Sequence, residues 1–151
     1  MVSFSPSLEP SMEPTSMDFR ITKFKGQFSK FIATITGHST QLLDLESLTK
    51  GKNVRTRRYA RTQSVDIDQI QGSEGRCKDF DRKFNPLKSH NCSRWLNIAH
   101  TRLRGVHLPA VDLIKVKDVY VVRDGHHRIS VARYLGCKYL DAHVIEWELS
   151  E

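Results

Sequence analysis

Apolar residues recur at three- and four-residue steps after Phe19. Phe24, Phe28, Phe31, Ile32 and Ile35 fall on one side of a 3.6-residue repeat, which predicts a helix. Strand stays open for this stretch because Ile, Thr and Phe also favour strands and Gly26 interrupts the run. Leu42, Leu45 and Leu48 predict a short amphipathic helix over residues 41–48. Val65 and Ile67 alternate with polar neighbours, predicting a short strand over 64–70 that breaks at Gly72 and Gly75. Trp95, Ile98, Ala99 and Leu103 share one side of a helix predicted from Arg94 to Arg104, with Ser93 as its cap and Gly105 as its stop. Trp95 is read as a core anchor. The runs AVDLIKV and VYVV, turned at Lys117 and Asp118, predict a hairpin. A helix follows from His126 to Leu135, closed by Gly136, and alternation over 142–149 predicts a last strand.

Composition changes this picture at the two ends of the first third. Residues 1–18 hold three of the five prolines and no Lys or Arg, so they bury little apolar area and are expected to form a disordered tail. The whole chain carries a formal charge of +7 and this tail carries −3, which leaves +10 on residues 19–151. Six of the bases, Lys50, Lys52, Arg55, Arg57, Arg58 and Arg61, lie in the acid-free stretch 50–61. Such a run is a solvated face, a surface for weak non-specific nucleic-acid binding, or a subunit contact, with a homodimer among the options. The expected division is a tail at 1–18, a helical extension with its basic run at 19–63, and a phosphate-binding domain at 64–151. Apolar runs of about four residues fall far short of the roughly 20 that cross a bilayer, and the N-terminus has no signal-like segment, so a cytoplasmic protein without membrane partners is expected. Cys77, Cys92 and Cys137 form no CxxC pair, and reduced thiols are expected.

Chemistry concentrates at VVRDGHHRISVARYLG. A glycine between a strand and a helix lets the backbone aim the helix's first free amides at a ligand, and such amides bind anions. His127 and Arg128 then lie in the first turn, where the helix dipole disfavours cations unless an anion is present. Gly125, His126, His127 and Arg128, with Arg76 from an upstream loop, are the candidate phosphate-binding residues. That loop, QGSEGRCKDFDRKFNPL, is dense in charge of both signs. Phosphoryl transfer asks for carboxylates beside the phosphates. Glu74 and Asp124 are the catalytic candidates, and Asp124, Asp79 and Asp81 the candidate ligands of Mg2+. Asp124 equally suits a turn former or helix cap, and Asp81 a partner for Arg82 or Arg94. A metal on the paired imidazoles lacks any HExxH-like spacing, and no GKS phosphate loop is present.

VDLIKVKDVYVVRDGHHRISVARYLG followed by DAHVIEW resembles the core of the ParB/sulfiredoxin superfamily. Upstream, VDIDQIQGSEGRCKDFDRKFNP, RW and LPAVDLIKV resemble a bacterial subgroup of ParB-like proteins with a GSxGRxxDFD stretch, so the resemblance covers about residues 65–148. It implies an α+β fold, a small mixed sheet with packed helices, whose strand-to-helix turn cradles phosphates. Sulfiredoxin-like members carry a catalytic Cys where this chain has His126, which argues against sulfinic acid reduction. Free-serine kinases of the fold share the Asp124, Gly125, His126 and Arg128 pattern and use an upstream acid, for which Glu74 is nearest in order. Partition proteins add a DNA-reading helix-turn-helix, which is not expected in a chain ending at Glu151. The resemblance implies a nucleotide- or phosphate-binding protein using ATP or ADP for phosphoryl transfer or nucleotide hydrolysis. A noncatalytic DNA-associated regulator is the alternative.

Overall fold

The structure, a computed structural model, describes residues 14–151. Its elements in chain order are α1 (Ser16–Thr36), β1 (Leu43–Asp44), α2 (Leu45–Thr49), β2 (Val54–Asp66), β3 (Ile70–Ser73), α3 (Cys92–Leu103), β4 (Val111–Val116), β5 (Val119–Asp124), α4 (His126–Tyr134) and β6 (Tyr139–Leu149). Short 3-10 turns occupy Ile67–Gln69 and Ser89–Asn91. The strands form one mixed sheet in the order β1-β3-β5-β4-β6-β2. β1, β3 and β5 run parallel, β5 and β4 form the expected hairpin, β4 pairs parallel with β6, and β6 pairs antiparallel with β2. This is the α+β class with a small mixed sheet and packed helices that the sequence implied.

Period-two alternation buries both faces of the central hairpin. Leu113 and Val122 point into a core with Phe80, Phe84, Ile129 and Val144. Their neighbours Ile114 and Val121 point the other way, into a cluster with Leu45 and Val116 that Trp147 closes. A third cluster joins α1, α3 and α4 through Phe19, Trp95, Ala99 and Val131. Trp95 is fully buried and its Nε1 donates to Ser130 Oγ at 3.0 Å, so it is the core anchor expected.

Several boundaries differ from the sequence reading. Residues 1–13 of the expected tail lie outside the described residues, and Ser16–Asp18 already belong to α1. The reason is a local cap: the Asp18 carboxylate accepts the Thr15 N–H at 2.7 Å and the Thr15 hydroxyl at 2.9 Å. The helix expected over 41–48 is helical only from Leu45, because Leu43 and Asp44 extend to pair with Gly72 and Ser73. Gly72 accordingly continues β3 where a break was expected. A Cβ there would come within 2.8 Å of the Leu43 carbonyl oxygen, so the absence of a side chain is what lets the two strands meet. α3 starts at Cys92 after Asn91, and Ser93 lies inside it rather than capping it.

The largest difference is the basic run. Residues 54–61 form the first part of β2, a thirteen-residue edge strand, and the boundary expected at residue 64 falls inside that strand. Two of its arginines are held by β6: Arg58 pairs with Glu146 at 2.6 Å, and the Arg57 guanidinium lies 4.7 Å from the Trp147 ring centre. Arg61, at φ 67, sits where the β2–β6 register shifts between Tyr59 and Thr62.

Candidate functional site

β5 delivers the chain into α4 through Gly125, whose φ of 109 and ψ of 18 turn the backbone sharply enough to start the helix at His126. No side chain caps the first turn of α4. Gly125 and the first turn of α4 line a polar cleft of about 280 Å³. Arg76 reaches it from the loop after β3, Arg94 from the first turn of α3, Arg123 from β5 and Arg128 from α4. Glu74, Asp124, His126 and His127 complete the lining, with Ile98 as its apolar wall. Four guanidinium groups against two carboxylates give the cleft an excess of positive charge.

The two imidazoles are packed around Phe80, which is fully buried. His126 stacks on the Phe80 ring at 5.8 Å and His127 meets it edge-on at 5.2 Å. His126 Nε2 lies 2.6 Å from Ser73 Oγ, which also accepts the Arg76 N–H at 3.1 Å. Ser73 thereby ties the end of β3 to the start of α4. His127 Nε2 is buried and has no hydrogen-bond partner among the described residues. Burial lowers the pKa of both histidines to about 4; Arg76 reinforces the effect at His126, and Arg94 and then Arg76 at His127.

This has a consequence for stability. Between pH 6.5 and about 4 the unfolded chain's histidines take up protons that the folded imidazoles refuse, so stability is full above pH 6.5 and falls as pH drops toward 4. Urea midpoints at pH 7, 5.5 and 4.5 should decline in that order. His127→Gln, which removes one titrating group, should make the decline shallower; an equally steep decline would show that His127 is not held neutral.

The predicted acids are dispersed. Glu74 sits on the rim, paired with Arg123 at 3.0 Å, while its own N–H extends the sheet by donating to the Val122 carbonyl at 2.9 Å. Asp124 pairs with Arg128 at 2.6 Å. Asp79 pairs with Lys88 at 3.0 Å and lies 3.8 Å from Arg76. Asp81 is buried away from the cleft and pairs with neither Arg82 nor Arg94. It accepts the Lys83 and Asn85 N–H groups and the Asn85 side-chain amide, holding its own turn. Among the described residues no group of three or more His, Cys, Asp or Glu side chains could hold a metal ion. Asp124, Asp79 and Asp81, expected together as Mg2+ ligands, are instead held apart by separate partners.

Arg128 is also placed differently from expectation. Its Nη1 donates to the Pro109 and Ala110 carbonyls at 2.7 and 2.8 Å, and its Nη2 to Asp124. The fork braces the segment leading into β4, so the freer cations of the cleft are Arg76 and Arg94. Ser73, Arg94 and Arg123 are not among the cleft residues expected from sequence, where Arg94 figured only as a partner for Asp81. Arg123 adjoins the turn and Ser73 lies in the GSEGR stretch, but nothing in their local pattern marks them, and Arg94 arrives from a helix about thirty residues upstream.

The fold and cleft thus define an α+β protein with an arginine-lined cleft at the uncapped start of α4. No protein-family model matches the chain, and no curated protein matches it. Among solved structures the chain is similar to sulfiredoxin from Arabidopsis thaliana, with a TM-score of 0.44 and 13% identity over 56% of this chain and 83% of that one. No described helix is long and apolar enough to cross a membrane.

Proposed function

We propose that the cleft at the start of α4 binds the phosphates of a small phosphorylated molecule, a nucleotide such as ATP or ADP being the best fit to the turn. The observation that carries this is the convergence of Arg76, Arg94, Arg123 and Arg128 on a helix start with no side-chain cap. Bound ATP would supply a transferable phosphoryl group. In such a transfer Glu74 on the rim would take the proton of the acceptor hydroxyl as ADP is displaced. With water as acceptor the same step is hydrolysis.

Titration calorimetry with ATP, ADP and CTP tests binding. Arg94→Ala should lose about 1.5–3 kcal/mol of affinity, the scale of a hydrogen bond to a charged group, while melting like the wild type. Glu74→Ala should keep the affinity and lose roughly a hundredfold in nucleotide turnover with Mg2+ and small hydroxyl acceptors. Absence of binding at millimolar nucleotide would refute the nucleotide reading. Binding without turnover in the wild type would leave a ligand-responsive regulator.

A further inference from the structure

The helix α1 carries a feature unrelated to the cleft. Its inner side is anchored to the body of the protein: Phe19 packs edge-on against Trp95, and Thr22 and Gly26 are buried. Its outer side carries Met17, Ile21, Phe24, Phe28, Phe31 and Ile35, spaced four, three, four, three and four residues apart. All six are exposed, from 47% at Ile21 to 66% at Phe24 and Ile35. A stripe of alternating three- and four-residue steps, with Ile21, Phe28 and Ile35 at a and Met17, Phe24 and Phe31 at d, is the seam of a left-handed coiled coil.

Large apolar side chains carry about 150–250 Å² each, so the exposed fractions of this stripe amount to roughly 700 Å² per helix. That is close to the approximately 800 Å² each partner contributes to a standard protein interface. A surface of this size, regular over the whole helix, exceeds the isolated apolar patches that monomers tolerate.

We propose that α1 packs antiparallel against α1 of a second copy of this chain, making the protein a homodimer. The spacing reads the same in both directions about Gly26. Reversing one helix therefore stacks Met17 on the partner's Ile35, Ile21 on the partner's Phe31, and Phe24 on the partner's Phe28, each layer occurring twice about the two-fold axis. The flanking charges select the direction. A parallel pair sets Arg20 beside the partner's Lys25 on both sides of the seam, two like-charge contacts. The antiparallel pair sets Arg20 beside the partner's Thr34 and leaves one such contact, Lys25 against the partner's Lys25. Opposed helix dipoles favour the same direction.

Sedimentation velocity of the full chain from about 1 to 100 µM should give twice the 17.4 kDa chain mass at the upper end. The double variant Phe24→Glu, Phe28→Glu, whose altered side chains touch no core, should sediment as a monomer with an unchanged thermal melt. Direction is read by disulfide trapping against the wild-type background of three native cysteines. Met17→Cys combined with Ile35→Cys should give a covalent dimer, whereas Ile35→Cys alone should not, since its two copies lie at opposite ends of the pair. A monomeric wild type would overturn the proposal, and its binding to phosphatidylserine vesicles would assign the stripe to a lipid surface. A double variant that stays dimeric would overturn the interface, and a covalent dimer from Ile35→Cys alone would overturn the direction.

Discussion

Replacing Gly125 by alanine should destabilise the protein by about 2–6 kcal/mol and abolish ligand binding. The φ of 109 at this residue is a conformation that L side chains rarely adopt, with a strain cost of about 1–3 kcal/mol. An added Cβ would also fall 2.5 Å from Val111 Cγ1 and 2.8 Å from Val111 Cβ. Val111 is buried in β4 and cannot withdraw, so overpacking adds roughly another 1–3 kcal/mol. Against a typical total stability of about 5–15 kcal/mol, that is enough to populate unfolded chains on mild warming. Gly136→Ala is the control. Gly136 also has a positive φ, of 75, but an added Cβ there meets nothing within 4 Å, so only a left-handed backbone penalty of about 1–2 kcal/mol is expected. Urea denaturation of both variants measures the difference. If Gly125→Ala were no worse than Gly136→Ala, the turn would not be held against Val111, and the aim of the α4 amides would need another cause.

Arg128→Ala should behave as a structural lesion first and a binding lesion second. Reading Arg128 as a phosphate fork alone, the variant would bind more weakly and fold normally. In the structure its side chain is only 17% exposed and makes two hydrogen bonds to the Pro109 and Ala110 carbonyls. Hydrogen bonds to a charged group contribute about 1.5–3 kcal/mol. The ion pair with Asp124, whose side chain is 62% exposed, adds little because water screens it. The expected loss is about 2–4 kcal/mol in urea midpoint experiments, with the damage centred on the approach to β4. Nucleotide affinity should fall as well, because that approach positions Val111 beneath Gly125. Arg128→Lys should not restore stability, since one ammonium cannot span both carbonyls and the carboxylate in the guanidinium's planar geometry. A fully stable Arg128→Ala variant would return Arg128 to the role of a free phosphate ligand.

The contrast between Arg128 and Arg94 shows which parts of the cleft local sequence carries. The turn itself was legible: a strand ending at Asp124, Gly125, and a helix beginning at His126 follow from residue types and spacing within about a dozen positions. The hairpin of β4 and β5 and the helices α3 and α4 were legible for the same reason, because hydrophobic period and glycine stops act over one or two turns of chain. What the side chains at the turn do was not. The His126 pKa is lowered because burial, beside Ser73 at the end of β3 and Phe80 in the loop after it, and then Arg76 disfavour the charged imidazole. Arg128 is a brace because two carbonyls arrive from 109 and 110.

By itself the sequence determined the α+β class, the Trp95 anchor, the strand-turn-helix at 119–134 and the basic character of the chain. Tertiary structure alone decided that residues 54–61 are an edge strand, since a strand held by one neighbour and wet on both sides needs no alternating apolar pattern. It likewise decided that Leu43 and Asp44 extend beside Gly72, a pairing set by the missing side chain on a strand nearly thirty residues away. Finally, it dispersed Asp79, Asp81 and Asp124 among separate partners and brought Arg76, Arg94 and Arg123 together instead. Charge count is a property of the sequence, whereas which charges cancel and which remain for a ligand depends on distances that only the packed chain sets.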